Sequence, residues 1–167
     1  MELYLLRHAP AVDRGTPGCG DDSQRPLTPE GRRRMKRGAK GMKALGLSFD
    51  RIFSSPWLRA RDTAEIVARE LKLERRLKFS RHLTAEGDPK LLIAQVARLR
   101  GAPRRLLLVG HEPYLSSLAG ILLGGQQRVG IALKKGGLCR LDTGKLALGR
   151  RAKLKWLLTL RQLTLLG

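Results

Sequence analysis

The chain has 167 residues and a formal net charge of +20, from 34 Lys and Arg against 14 Asp and Glu. With 42% hydrophobic residues it is expected to form one globular domain over 1–167, large enough to bury a core without disulfides or metal. Its two cysteines, Cys19 and Cys139, match no paired metal-ligand spacing and are too few for a disulfide scaffold, which points to reduced thiols in a cytoplasmic protein.

In chain order, the opening Met-Glu-Leu-Tyr has no basic leader ahead of an apolar run, so no signal peptide is expected. Glu2–Arg7 suits a short buried strand. Ala9–Arg25, rich in Gly, Pro, Asp and Ser, suits a loop. Thr28-Pro29-Glu30 supplies a hydroxyl N-cap, a proline at the first helical position and an acid in the first turn, so a helix is predicted from there to about Leu45, ended by Gly46. Phe49–Phe53 is the second predicted strand. Ser55-Pro56 repeats the cap-and-proline signature and opens a helix from Trp57 to about Leu71, with Ala64, Val67, Ala68 and Leu71 on one face. Asp88-Pro89 starts a third helix, Arg105–Val109 is a buried parallel strand, and Pro113 starts a fourth helix to about Leu123. The last residues predict two strands, Gly137–Asp142 and Lys153–Leu160, around a turn at Asp142–Gly149. The apolar tail 154–166 is interrupted by Lys155 and Arg161 and is too short and too charged to span a bilayer, so a soluble protein is expected.

Strand–helix alternation predicts an α/β fold, a three-layer α/β/α sandwich with a mostly parallel sheet. Ligands of such sheets sit at the carboxyl ends of strands. Three predicted strand-to-helix junctions there carry reactive or anion-binding groups: Arg7-His8, Ser54-Ser55 with Arg59 a turn on, and Gly110-His111. An imidazole at a strand end is held accurately and can accept a phosphoryl group, provided one ring nitrogen is unprotonated and the other is tied to an acceptor. A guanidinium near a helix N-terminus grips phosphate oxygens. Singly, each is an ordinary surface or capping residue. Together they converge, because two of only three histidines fall at strand carboxyl ends.

The segments R-H-A at 7–9, L-T-P-E-G at 27–31, S-S-P-W-L-R-A-R-D-T-A at 54–64 and V-G-H-E-P at 109–113 together resemble the histidine phosphatase superfamily, the phosphoglycerate mutase-like group, in family order. The resemblance implies a phosphoglycerate mutase-like fold and a two-step phosphoryl transfer. His8 would be the nucleophile, with Arg7, Arg59 and His111 around the phosphate and no metal or other cofactor. The short length, with L-T-A-E-G-D-P at 83–89 and L-K-K-G-G at 133–137, resembles the bacterial phosphohistidine phosphatases of the SixA type. That implies a phosphorylated signalling protein, such as a histidine phosphotransfer domain, as partner. Ala9 and Asp62 depart from the family's usual glycine and glutamine.

Two other functions stay open from the residues. One is a broad small-molecule phosphomonoesterase for nucleotides, sugar phosphates or polyphosphate, with Glu86 as a candidate acid for the leaving alkoxide. Asp88 is better explained as a helix cap, and His82 as a loop histidine. The other is a basic protein that binds nucleic acid or polyphosphate through Arg32–Lys43 and Arg128–Arg161, although aromatics are only 4% of the chain, too few for base stacking.

Overall fold

The computed structural model describes residues 1–125, 130–149 and 152–167. Arg128, Arg150 and Arg151 of the second basic stretch lie outside the described residues. The elements run β1 (Glu2–Arg7), α1 (Pro29–Ala44), β2 (Arg51–Ser54), α2 (Leu58–Glu70), β3 (Leu77–Phe79), α3 (Pro89–Ala97), β4 (Arg105–Gly110), α4 (Tyr114–Gly124), β5 (Leu138–Thr143), β6 (Ala152–Leu158) and α5 (Leu160–Leu165). Single 3₁₀ turns occur at Asp22–Gln24, Glu74–Arg76 and Arg81–Leu83.

The six strands form one sheet in the order β3-β2-β4-β1-β5-β6. β3, β2, β4 and β1 are mutually parallel. β5 runs antiparallel to β1 and β6 antiparallel to β5. Helices cover both faces, which is the expected α/β/α arrangement. The period-2 alternation of strand side chains divides the core accordingly. Tyr4, Leu6, Ile52, Leu107, Val109 and Leu138 pack with α1, α2 and α5. Leu3, Leu5, Phe53, Leu106, Leu108 and Leu141 pack with α3 and α4 on the opposite face. Strands buried on both faces need near-continuous apolar runs, and the LYLL of β1 and LLLV of β4 provide them.

The structure departs from the sequence reading at several points, of which three bear on the packing. The tail predicted as strand to Leu160 leaves the sheet at Leu158, and Thr159 caps α5 instead. Its hydroxyl accepts from the Gln162 N–H while the Gln162 side chain accepts from the Thr159 N–H, a reciprocal capping box. Leu160 and Leu163 of α5 then bury against α1, where a side chain at Gly41 would meet the Leu163 carbonyl oxygen. The short edge strand β3 was not predicted. The second helix begins at Leu58 with Trp57, not Ser55, as its cap residue, and the Ser55 hydroxyl accepts from the Trp57 N–H and meets His111. No helix of the described residues is long and apolar enough to cross a membrane. Cys19 and Cys139 are both free thiols, the second buried on β5.

β2, β4 and β1 are adjacent because β4 inserts between two strands that precede it in the chain. The register aligns Arg7 with Gly110, and Ser54 with Val109. The carboxyl ends that carry His8, Ser55 and His111 therefore lie side by side.

Candidate active site

His8 follows the last residue of β1 and is 5% exposed. Its backbone is fixed on two sides. The His8 N–H donates to the Gly110 carbonyl, and the Gly136 N–H reaches the carbonyls of Arg7 and His8. Gly136 takes φ +73°, which favours glycine and lets the 133–137 loop turn back over the strand end. The next residue, Ala9, donates its N–H to the Thr63 hydroxyl of α2 at 3.0 Å.

The ring is oriented as firmly as the backbone. Nδ1 lies 2.7 Å from the Ala9 carbonyl oxygen, which can only accept, so Nδ1 carries the proton. Nε2 is then the lone-pair nitrogen, and Arg59 Nε donates to it at 3.3 Å. Burial, above all, pulls the His8 imidazole down to about 3, and the nearby Arg59, Arg7 and Lys135 charges act in the same direction. The Ala9 contact opposes them. At neutral pH the ring is therefore uncharged with Nε2 unprotonated.

His111 stands at the end of the neighbouring strand. Parallel strands lie about 4.8 Å apart, and the His8 and His111 ring centroids are 5.2 Å apart. His111 Nε2 contacts the Ser55 hydroxyl at 2.8 Å. When Ser55 donates, the His111 proton resides on Nδ1, a buried atom with no partner among the described residues. Burial pulls this imidazole down to about 2, and Arg59 adds to the effect. Trp57 packs against the same ring at 4.8 Å.

Arg59, in the first turn of α2, is 3% exposed. Its guanidinium stacks 4.9 Å from the Trp57 ring centroid. Its Nη2 donates to Asp22 Oδ2 at 2.8 Å, and its Nη1 to the Asp22 carbonyl. Burial works to raise the Asp22 carboxyl, but Arg59, Arg25 and Arg14 outweigh it and hold it below the usual carboxylate range. Arg7 donates from Nη1 to the Leu133 carbonyl at 3.0 Å, while its buried Nε has no partner among the described residues. Burial lowers the pKa of both guanidiniums, yet an arginine side chain stays cationic.

The structure thus brings together all four sequence-predicted residues, His8, Arg7, Arg59 and His111. Glu86 is not among them. It lies on an exposed turn in the wall of a cleft of about 350 Å³ formed with Arg14, Cys19, Asp22, Arg25 and Trp57. Asp88 caps α3 through the Lys90 N–H, as expected. His82 belongs to the 3₁₀ turn at Arg81–Leu83. Asp62, a departure from the family pattern, accepts from Arg32 at 2.5 Å and ties α2 to α1. Sequence reasoning missed Asp22, Ser55 as a histidine partner, and Thr63. No local signal marks Asp22 within its polar loop. The S-S-P and D-T-A motifs did contain the other two. Among the described residues no three His, Cys, Asp or Glu side chains gather as a metal-holding group.

A model of the histidine phosphatase superfamily (branch 1) matches residues 3–81. The chain is 39% identical over 145 residues to an uncharacterized protein of Picosynechococcus, covering 86% of each. It is 29% identical over 127 residues to phosphohistidine phosphatase SixA of Escherichia coli, covering 75% of this chain and 76% of that one. In fold it is similar to the protein histidine phosphatase SixA complexed with tungstate, with a TM-score of 0.79 and 23% identity over 98% of this chain and 99% of that one. It is also similar to phosphoserine phosphatase from Entamoeba histolytica, with a TM-score of 0.67 and 17% identity over 97% and 98% of the two chains.

Proposed function

The chain belongs to the histidine phosphatase superfamily, and we propose that this phosphatase hydrolyses phosphohistidine on a signalling protein through a phosphorylated His8. The observation that carries the chemistry is the His8 ring. Its proton is fixed on Nδ1 by Ala9, and its lone pair on Nε2 lies among Arg59, Arg7 and His111. Nε2 attacks phosphorus, a P–N bond forms, and the bond to the leaving group breaks. Water then attacks the phosphorus of phospho-His8, the new P–N bond breaks, and inorganic phosphate leaves with the ring restored. The arginines and His111 neutralise charge on the equatorial oxygens, which is where positioning and electrostatics act in phosphoryl transfer. Arg7 Nε and, with Ser55 donating to Nε2, His111 Nδ1 are buried donors with no partner among the described residues, and a phosphate oxygen would supply the acceptor.

The substrate reading rests on leaving-group chemistry and on likeness to SixA. An imidazole protonated on its remote nitrogen departs neutral, whereas an alkoxide needs an acid. The four clustered residues include no carboxylic acid. The test compares the wild-type protein on a phosphorylated histidine phosphotransfer domain and on para-nitrophenyl phosphate. The phosphoprotein is expected to be turned over with a kcat/KM at least about a hundredfold higher. A preference for the ester would move the substrate to a small phosphomonoester. Glu86 in the cleft wall favours that second reading, since it could serve there as the acid.

Asp22 bears on either substrate. It is the counter-charge of a nearly inaccessible guanidinium that must also hold the phosphate. Asp22→Asn removes that competitor and leaves Arg59 buried without compensation, so an oxyanion gains more by pairing with it. The inhibition constant of tungstate is expected to fall about tenfold, the equivalent of about 1.4 kcal/mol. A rise instead would mean that Asp22 serves to orient Arg59 rather than to compete for it.

A further inference from the structure

The +20 charge is not consumed by the phosphate pocket. Much of it lies on α1, where Arg32, Arg33, Lys36, Arg37, Lys40 and Lys43 are all exposed. Their spacing places them along one outward-facing stripe of the helix, opposite the buried Met35, Ala39 and Met42. Charges of one sign packed along a helix repel one another, so the stripe costs stability in the free protein.

Beside this stripe, α1 and α2 enclose a groove of about 490 Å³, lined by Pro29, Arg32, Arg33, Lys36, Ile66, Arg69 and Glu70. Its lining has four cations against one acid. Arg32 pairs with Asp62 and Arg33 with Glu30. Lys36 and Arg69 are exposed and carry no ion pair among the described residues. The apolar part of the lining is Ile66, half-buried against the core below it, and the exposed Pro29.

The groove starts beside the phosphate pocket. On α2, Ile66 follows Arg59 by seven residues, about 10 Å along the helix axis. On α1, the Thr28 cap holds the Pro10 carbonyl through its own N–H, two residues from His8.

We infer that this groove docks an acidic, amphipathic helical segment of the protein whose phosphohistidine enters the pocket, an inference that rests on the proposed function. Its apolar side chains cover Ile66 and Pro29, and its carboxylates meet Lys36, Arg69 and the α1 stripe. Helix-in-groove binding uses apolar anchors at three- and four-residue spacing, and complementary charge sets the encounter rate. A bare polyanion would satisfy the cations but leave Ile66 and Pro29 uncovered.

The experiment has two arms. In the first, a designed Leu/Glu amphipathic helical peptide is titrated into the full-length protein, beside a scrambled peptide of identical composition and linear polyphosphate. The patterned peptide is expected to bind at least about tenfold tighter than the scrambled one, and the double variant Lys36→Glu, Arg69→Glu to abolish the difference. Equal binding of the two peptides, or polyphosphate binding that alone responds to the variant, overturns the inference. In the second, the same variant is expected to lower kcat/KM on a phosphorylated histidine phosphotransfer domain at least about tenfold while leaving para-nitrophenyl phosphate hydrolysis within about twofold. A parallel loss on both substrates overturns it too. A wild-type protein inactive on the phosphoprotein refutes the proposed substrate instead, and the peptide arm still decides what the groove binds.

Discussion

His8→Ala is expected to reduce turnover by at least about 10⁴-fold on both a phosphohistidine protein and para-nitrophenyl phosphate, because it removes the atom that forms the covalent bond. The loss should appear in kcat, with the KM of the ester moved little, since Arg7, Arg59 and His111 would still bind the phosphate. A second readout separates loss of the nucleophile from loss of fold. Wild-type protein quenched during turnover should carry an acid-labile, base-stable phosphoryl group on the peptide containing His8. His8→Ala should carry none while still unfolding cooperatively in urea. Residual activity above about 1% in that variant would show that water attacks phosphorus directly. His8 would then be a binding residue, and the two-step mechanism would fail.

The parts of the site legible in sequence are those fixed by local backbone chemistry. Arg7-His8 and Gly110-His111 each end an apolar run that can only be a buried strand, so their position at a strand's carboxyl end followed from the chain alone. Their proximity did not. It depends on β4 inserting between β1 and β2, a long-range pairing with no local signature. Asp22 was illegible for a related reason. It sits in a Gly- and Pro-rich loop with Arg14 and Arg25 close by in the chain, but the partner that gives it a role, Arg59, is 37 residues away and meets it only when the chain folds. The missed α5 is a different case. Thr159 and Gln162 form a readable capping box, but the alternating L-K-W-L-L before it extends the strand pattern through the boundary. The sequence reading made Ser55 the helix cap, but the cap residue is Trp57; the Ser55 hydroxyl accepts from the Trp57 N–H and meets His111, a partner 56 residues away with no local signature.

The same burial that readies His8 should make the protein sensitive to acid. Unfolded, both imidazoles titrate near 6.5. Folded, burial pulls His8 down to about 3 and His111 to about 2. Between those limits the unfolded chain binds protons that the folded one refuses. The stability they contribute is therefore complete above about pH 6.5 and is lost as pH falls below it. Each group costs about 1.4 kcal/mol per pH unit there, so the two together should remove about 3 kcal/mol between pH 7.5 and pH 5.5. That is a large share of a typical domain's stability of about 5–15 kcal/mol. Urea unfolding at pH 7.5, 6.5 and 5.5 measures it. His8→Asn, which cannot titrate, should lose about half as much over the same interval. A wild-type stability unchanged across that range would mean that the folded rings titrate near 6.5 as the unfolded ones do, and that burial is not what keeps Nε2 of His8 unprotonated. Saturating tungstate should flatten the dependence, because a bound oxyanion favours the charged imidazolium that the empty pocket disfavours. Acid sensitivity and nucleophilicity thus have one cause: a strand-end histidine buried among cations stays neutral and keeps the Nε2 lone pair that attacks phosphorus.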